Sequence, residues 1–185
     1  MKYFLGAIAG LFLLWLFSAF IVQPFAIPSN SMEPALATGD RILVNKTAYW
    51  SQPISRGDVV VFDGADSFSR QSGEFVKRVI GIAGDRVVCC TDSGNLSVNG
   101  SEIQEDSYLF PGDSPSEIEF DALVPPGKIW VLGDHRSESA DSRSHLGDPG
   151  GGVVLESKVV GQAQFVIWPP ARWQRLDSHT FKELN

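Results

Sequence analysis

Glu74-Phe75-Val76-Lys77-Arg78-Val79-Ile80-Gly81-Ile82, closed by Ala83-Gly84-Asp85, is the stretch from which the fold is read. It is rich in β-branched and aromatic residues, and a glycine turn ends it, so it reads as a long strand. Side chains alternate along a strand. Phe75, Lys77 and Val79 therefore share one face, and Arg78 faces the other way, where it needs an acidic partner. Shorter runs of the same kind surround it: Arg41 to Val44 after Thr38-Gly39-Asp40, and Asp58 to Phe62 after Ser55-Arg56-Gly57. Further on come Arg86 to Cys90, Leu96 to Val98, Ser101 to Ile103 after the turn Asn99-Gly100, Lys128 to Leu132, and Val159 to Trp168 before Pro169-Pro170. No sustained 3.6-residue apolar period appears after the N-terminal stretch. Many short strands and few helices predict a mainly β domain built on a coiled, partly closed sheet. Glu105 to Glu117, rich in Asp, Ser and Pro, reads as a surface loop, and the glycine-rich Ser144 to Gly152 as a mobile one.

Phe4 to Val22, FLGAIAGLFLLWLFSAFIV, carries no charge. As a helix it would extend about 28 Å, close to the hydrocarbon thickness of a bilayer. It is longer than a secretory h-region, and Gln23-Pro24-Phe25-Ala26-Ile27-Pro28 fits a cleavage site poorly. The expectation is an uncleaved transmembrane helix over residues 4–22. Lys2 and the N-terminal amine favour a short cytoplasmic segment, residues 1–3, and an extracytoplasmic remainder. A β-rich domain over residues 23–170 and a polar tail over residues 171–185 complete the expected organisation.

The net charge of -7 and the lack of a Lys/Arg cluster speak against a nucleic-acid partner. The same acidity means that any contact of the domain with lipid must be apolar. Cys89 and Cys90 are adjacent, too few for a structural zinc site. They read as small apolar residues ending a strand, with a vicinal disulfide or an intermolecular bridge as the alternative.

Ser31 lies in Pro28-Ser29-Asn30-Ser31-Met32-Glu33-Pro34, nine residues past the apolar stretch. Such a segment is ordinarily a linker, but a hydroxyl at that place could meet a chain emerging from a bilayer. Serine needs a base to become a nucleophile. Among the histidines, His135 and His145 lie near Gly133-Asp134-His135-Arg136, and a Ser/His/Asp arrangement is compatible with the spacing. Lys77 is the sharper candidate. At the reference value of ~10.4, fewer than about one lysine in a thousand is neutral at pH 7. Apolar neighbours such as Phe75 and Val79 disfavour the ammonium and raise that fraction. The competing reading is a lysine that snorkels to water. Gly133 to Arg143, GDHRSESADSR, offers paired Asp and Arg groups to brace a loop and hydroxyls to orient an amine.

The blocks Pro28 to Pro34, Gly39-Asp40, Arg56-Gly57-Asp58-Val59-Val60-Val61-Phe62, Lys77-Arg78-Val79-Ile80-Gly81 with Gly84-Asp85, and Gly133-Asp134-His135-Arg136 through Ser139-Ala140-Asp141-Ser142-Arg143, in that order, resemble type I signal peptidase (leader peptidase). The resemblance implies a signal-peptidase-like coiled antiparallel β domain with an apolar surface on the membrane and one N-terminal anchor. It implies a serine endopeptidase with Ser31 as nucleophile and Lys77 as general base. Ser29 would supply the oxyanion-hole hydroxyl beside the Ser31 N–H, and Ser139 would hydrogen-bond the lysine. Met32 would line the substrate pocket, and Arg78, Asp134, Asp141 and Arg143 would form structural ion pairs. The implied substrates are exported preproteins cut after small-x-small sites, beside the export machinery, with no cofactor or metal. Asn30, Ala35 and His135 depart from the commoner family residues. A maturation peptidase dedicated to one partner and an inactive anchored scaffold are the alternative readings.

Overall fold

The computed structural model describes residue 10 and residues 20–65, 67, 68 and 72–178. The strands are β1 (Val22–Ala26), β2 (Arg41–Asn45), β3 (Val59–Asp63), β4 (Glu74–Gly81), β5 (Arg86–Cys89), β6 (Leu96–Val98), β7 (Ser101–Glu102), β8 (Phe120–Leu123), β9 (Lys128–Leu132), β10 (Val154–Leu155), β11 (Val159–Trp168) and β12 (Gln174–Arg175). They form an eight-stranded sheet of order β1-β2-β11-β3-β4-β9-β10, with β12 beside β11, and a four-stranded sheet of order β7-β6-β5-β8. Every pairing is antiparallel.

The alternation of side chains explains how one sheet serves several cores. In β3, Val59 and Val61 enter one apolar cluster with Phe25, Met32, Leu36 and Ile42, whereas Val60 and Phe62 enter another with Val79, Ile129 and Val131. Both faces of β3 are thus covered, which is why Val59 to Phe62 are all apolar. The strand β9 repeats the device: Ile129 and Val131 face that second cluster, and Trp130 and Leu132 face a third one beneath the smaller sheet. Each side chain so buried contributes roughly 1.5–3 kcal/mol. Register shifts in β11 between Ala163 and Phe165 and again between Val166 and Trp168, and in β4 between Val79 and Gly81, bend the large sheet. It curls until β1, one edge, and β4, four strands further along the order, flank the same cleft.

Several expectations change. Val22, read as the last anchor residue, opens β1, whose Pro24 is tolerated because β1 is an edge strand paired only with β2. The rest of the expected anchor, apart from residues 10, 20 and 21, lies outside the described residues. Among the described residues no helix is long and apolar enough to cross a membrane. Residues 171–177, read as the start of a polar tail, belong to the domain: β12 pairs with β11, and Leu176 is buried against Ile42 and Val166. The segment Glu105–Glu117 is not simply a surface loop, because Glu105 and Tyr108 are buried in it. Cys89 ends β5 as expected, but it is joined to Cys90 by a disulfide, the reading held above as an alternative.

Candidate active site

Ser31 is carried by a tight turn, not by a linker. Ile27 N–H donates to Asp40 O, Gly39 N–H returns to Ile27 O, and Leu36 N–H reaches Met32 O at 2.8 Å. Met32 and Leu36 are fully buried in the cluster under β1 and β2, so apolar burial pins the turn that a hydrophilic reading would leave loose. The carboxylate of Asp40 accepts from Ala37 N–H and from the Arg172 guanidinium, closing the base of the turn.

Lys77 approaches from the middle of β4. Its Nζ donates to Ser31 Oγ at 2.6 Å, and the two side chains lie 46 residues apart in sequence. Lys77 is only 3% exposed and Ser31 8%. Burial pushes the lysine down to about 8, against the opposing pull of the Asp141 and Asp134 carboxylates and with a smaller contribution from Arg143. At that value about one lysine in ten is neutral at pH 7. Ser29 Oγ stands 3.4 Å from Ser31 Oγ. A cleft of about 330 Å³ leads from the pair along β4, walled by Phe25, Ile27, Met32 and Phe75, with Glu74 at its far end.

The loop Gly133–Arg143 closes the site from the β9 side. Arg78, 1% exposed, meets Asp134 in a two-pronged ion pair at 2.8 and 2.6 Å and donates to Gly57 O, which answers the need for an acidic partner on its face of β4. Arg143 and Asp141 form a second two-pronged pair at 2.9 and 2.8 Å, and Asp141 also accepts from Gly133 N–H. Such forked contacts fix orientation as well as charge. Gly133 has no room for a side chain: a Cβ there would lie 2.2 Å from Ser139 Oγ and 2.4 Å from Ser31 O. The His135 N–H donates to Ser31 O at 3.2 Å, joining the loop to the turn that carries Ser31.

The structure therefore brings Ser29, Ser31, Met32, Lys77 and Ser139 together and sets Arg78, Asp134, Asp141 and Arg143 around them. One expected contact is not made. Ser139 Oγ is buried beside Gly133 without a hydrogen-bond partner among the described residues, so its bond to Lys77 is not formed. The histidines are placed elsewhere. The ring of His135 stacks on Phe110 at 3.7 Å, with Nδ1 buried and unpaired among the described residues, and His145 pairs with Asp148 and stacks on Phe68. His179 lies outside the described residues. Sequence reading gave no role to Glu105, Tyr108 or Arg136; the only hint was the apolar trio Tyr108-Leu109-Phe110 within an otherwise polar segment.

A buried serine and a lysine with a lowered proton affinity, sharing a short hydrogen bond at the head of an apolar cleft, have the chemistry that acyl transfer requires. Residues 1–168 match the sequence model of the signal peptidase family, peptidase S26. The chain is 34% identical to the probable signal peptidase I of Mycobacterium leprae over 90% of its own length and 75% of that protein. It is 34% identical to signal peptidase I of Mycobacterium tuberculosis, covering 90% and 72%, and 33% identical to signal peptidase IB of Staphylococcus aureus, covering 94% and 90%. A crystal structure of a signal peptidase I from Enterococcus faecalis aligns with 60% of this chain and 97% of its own, at 26% identity and a TM-score of 0.46. The chain belongs to the signal peptidase family, and it is a hydrolase of that family's peptidase class.

Proposed function

We propose that this chain is a membrane-anchored serine endopeptidase that removes N-terminal signal peptides from exported preproteins after small-x-small sites. The observation that carries the reading is the 2.6 Å hydrogen bond between Lys77 Nζ and Ser31 Oγ inside the protein. A preprotein segment lies extended in the cleft between β1 and β4, with alternate side chains directed into its apolar walls. Neutral Lys77 takes the Ser31 proton as Oγ attacks the carbonyl carbon. The Ser31 N–H and the Ser29 hydroxyl stabilise the oxyanion, each such donor being worth roughly 2.7–4 kcal/mol. The resulting ammonium protonates the leaving amine, and the neutral amine then activates water to release the acyl group. Ser139 takes up the Lys77 amine when substrate closes the site, since catalytic hydrogen bonds commonly tighten only in the complex. An anchor formed by the apolar stretch before β1 keeps Ser31 close to the outer membrane surface, where the cleavage site of an exported chain emerges.

The test uses the purified protein in detergent, a preprotein bearing Ala-x-Ala, and N-terminal sequencing of the product. Cleavage directly after the second alanine, lost in Ser31→Ala, is the expected result. The rate should rise with pH through about 8, because only the neutral lysine accepts a proton and its fraction grows as pH increases. A profile centred instead on the histidine range, and abolished in His135→Ala, would transfer the base to His135.

A further inference from the structure

Glu105 and Tyr108 belong to a segment whose composition reads as solvated, yet they are 5% and 2% exposed. Tyr108 Oη donates to Glu105 Oε1 at 2.7 Å. From this pair, two contacts reach the elements that carry the site. The Tyr108 ring lies against the Arg78 guanidinium, 4.4 Å from Cζ to ring centre. Glu105 accepts from Arg136 Nη1 at 3.2 Å and from Nη2 in a shorter contact. Arg136 in turn donates through Nε to Gly133 O at 2.9 Å, and its carbonyl accepts from Arg143 Nη2 at 2.8 Å. Two residues past Tyr108, Phe110 N–H donates to Asp134 O at 2.9 Å while its ring covers His135. The segment 105–110 thus touches the back of β4 and every residue from Asp134 to Arg136.

We propose that this Glu105–Tyr108 strap is a positioning device for the Ser31/Lys77 pair, holding Arg78 and the loop Gly133–Arg136 from behind so that Lys77 Nζ stays on Ser31 Oγ. It rests on the reading of Ser31 and Lys77 given above. The linkage is short on both sides. Arg78 follows Lys77 in β4, so a guanidinium clamped between Asp134, Gly57 O and the Tyr108 ring fixes the backbone that carries Lys77. Gly133 is packed against Ser31 O and Ser139 without spare room, so a shift of the loop is passed to the nucleophile turn. Charge is coupled in the same way. Lys77 is faced by Asp141, Asp134 and Arg143, and Asp134 is shared between Arg78 and the field of Arg136. Glu105 neutralises Arg136. Without it Arg136 competes for Asp134 and draws negative charge away from the lysine.

The test measures kcat and KM on the Ala-x-Ala preprotein from neutral to alkaline pH, with thermal melts beside them, using the full chain in detergent. Glu105→Gln keeps the size of the side chain and removes its charge. It should lower the alkaline plateau of kcat about fivefold, leave KM within about twofold, and move the midpoint of the pH profile down by about half a unit. Tyr108→Leu should lose about tenfold in kcat at unchanged KM, while Tyr108→Phe, which keeps the ring over Arg78, stays within about twofold of the parent. A Glu105→Gln protein with parental kcat and parental midpoint, whatever its melting temperature, overturns the proposal, as does a change confined to KM. If Tyr108→Leu does not fold, Glu105→Gln decides alone. The two readings fail differently. An active Ser31→Ala protein, or no alkaline rise in the parent, removes the dyad and the strap with it, whereas superimposed profiles in an otherwise behaving parent remove the strap only.

Discussion

Lys77 is held where an ammonium is poorly solvated, and the same burial that lowers its proton affinity weakens the fold. Its proton affinity falls from the ordinary value of 10.5 to about 8 on folding. Between those values the unfolded chain binds more protons than the native one, so stability rises with pH across that window and the penalty is complete below about pH 8. Lys77→Met, which fills a similar volume without charge, should therefore raise the unfolding free energy at pH 7 by as much as about 3 kcal/mol, less the lost hydrogen bond to Ser31. The gain should fade as pH rises past 10.5, where both states of the parent hold a neutral amine. Urea unfolding of the inactive variant and the parent at both pH values checks this; an equal difference at both would mean that packing, not charge, decides it. Lys77 itself was legible in the sequence because strand alternation places it between Phe75 and Val79. Its pairing with Ser31 was a candidate from those apolar neighbours and an implication of the resemblance, since nothing local relates residues so far apart in the chain.

At the scale of elements, the loop Gly133–Arg143 works because it is braced at both ends by buried ion pairs and because Gly133 allows Ser31 and Ser139 to approach it closely. Gly133→Ala should push Ser139 and the Ser31 carbonyl apart. Overpacking of this kind costs about 1–3 kcal/mol, and a displacement on the order of 1 Å at a catalytic pair can cost about a hundredfold in rate. The expected outcome is a folded protein, slightly lower in melting temperature, with kcat reduced by roughly two orders of magnitude; full activity would show that the loop yields elsewhere. The main strands were readable because most are runs rich in apolar residues bounded by glycine or proline turns. The strands β1, β8, β10 and β12 were not. Val22–Ala26 contains a proline and follows an apolar stretch, and Gln174–Arg175 is too short and polar to carry a pattern, so both exist only because a neighbouring strand supplies their hydrogen bonds. The buried Glu105 and Tyr108 escaped for a similar reason: a carboxylate in a polar segment looks solvated until Arg136, 31 residues away, arrives to pair with it.

Across the whole molecule, the last strands carry an apolar rim that none of the described residues covers. Trp168 is 53% and Trp173 68% exposed, with Phe165 and Ile167 partly exposed beside them, and Trp173 Nε1 donates to Ile167 O. With a net charge of -7, attachment of this rim to lipid would have to be apolar. Replacing Trp168 and Trp173 together by serine should reduce binding of the detergent-free domain to uncharged lipid vesicles by about tenfold or more, at nearly unchanged stability. Quenching of tryptophan fluorescence by brominated lipid in the parent would report the same contact, and equal vesicle binding by both proteins would remove it. From the sequence alone came a β-rich chain, an apolar stretch before it, and the blocks that carry the candidate reactive groups. Those are local properties, set by side-chain alternation, turn chemistry and the order of motifs. Only the tertiary structure decided that the sheet curls far enough to set β1 and β4 on either side of one cleft. It alone placed Lys77 on Ser31, set Ser139 beside them without a bond to the lysine, and closed the loop from behind with Glu105 and Tyr108. Those relations depend on bulges, on shared cores and on charges paired across long stretches of chain, and no local pattern encodes them.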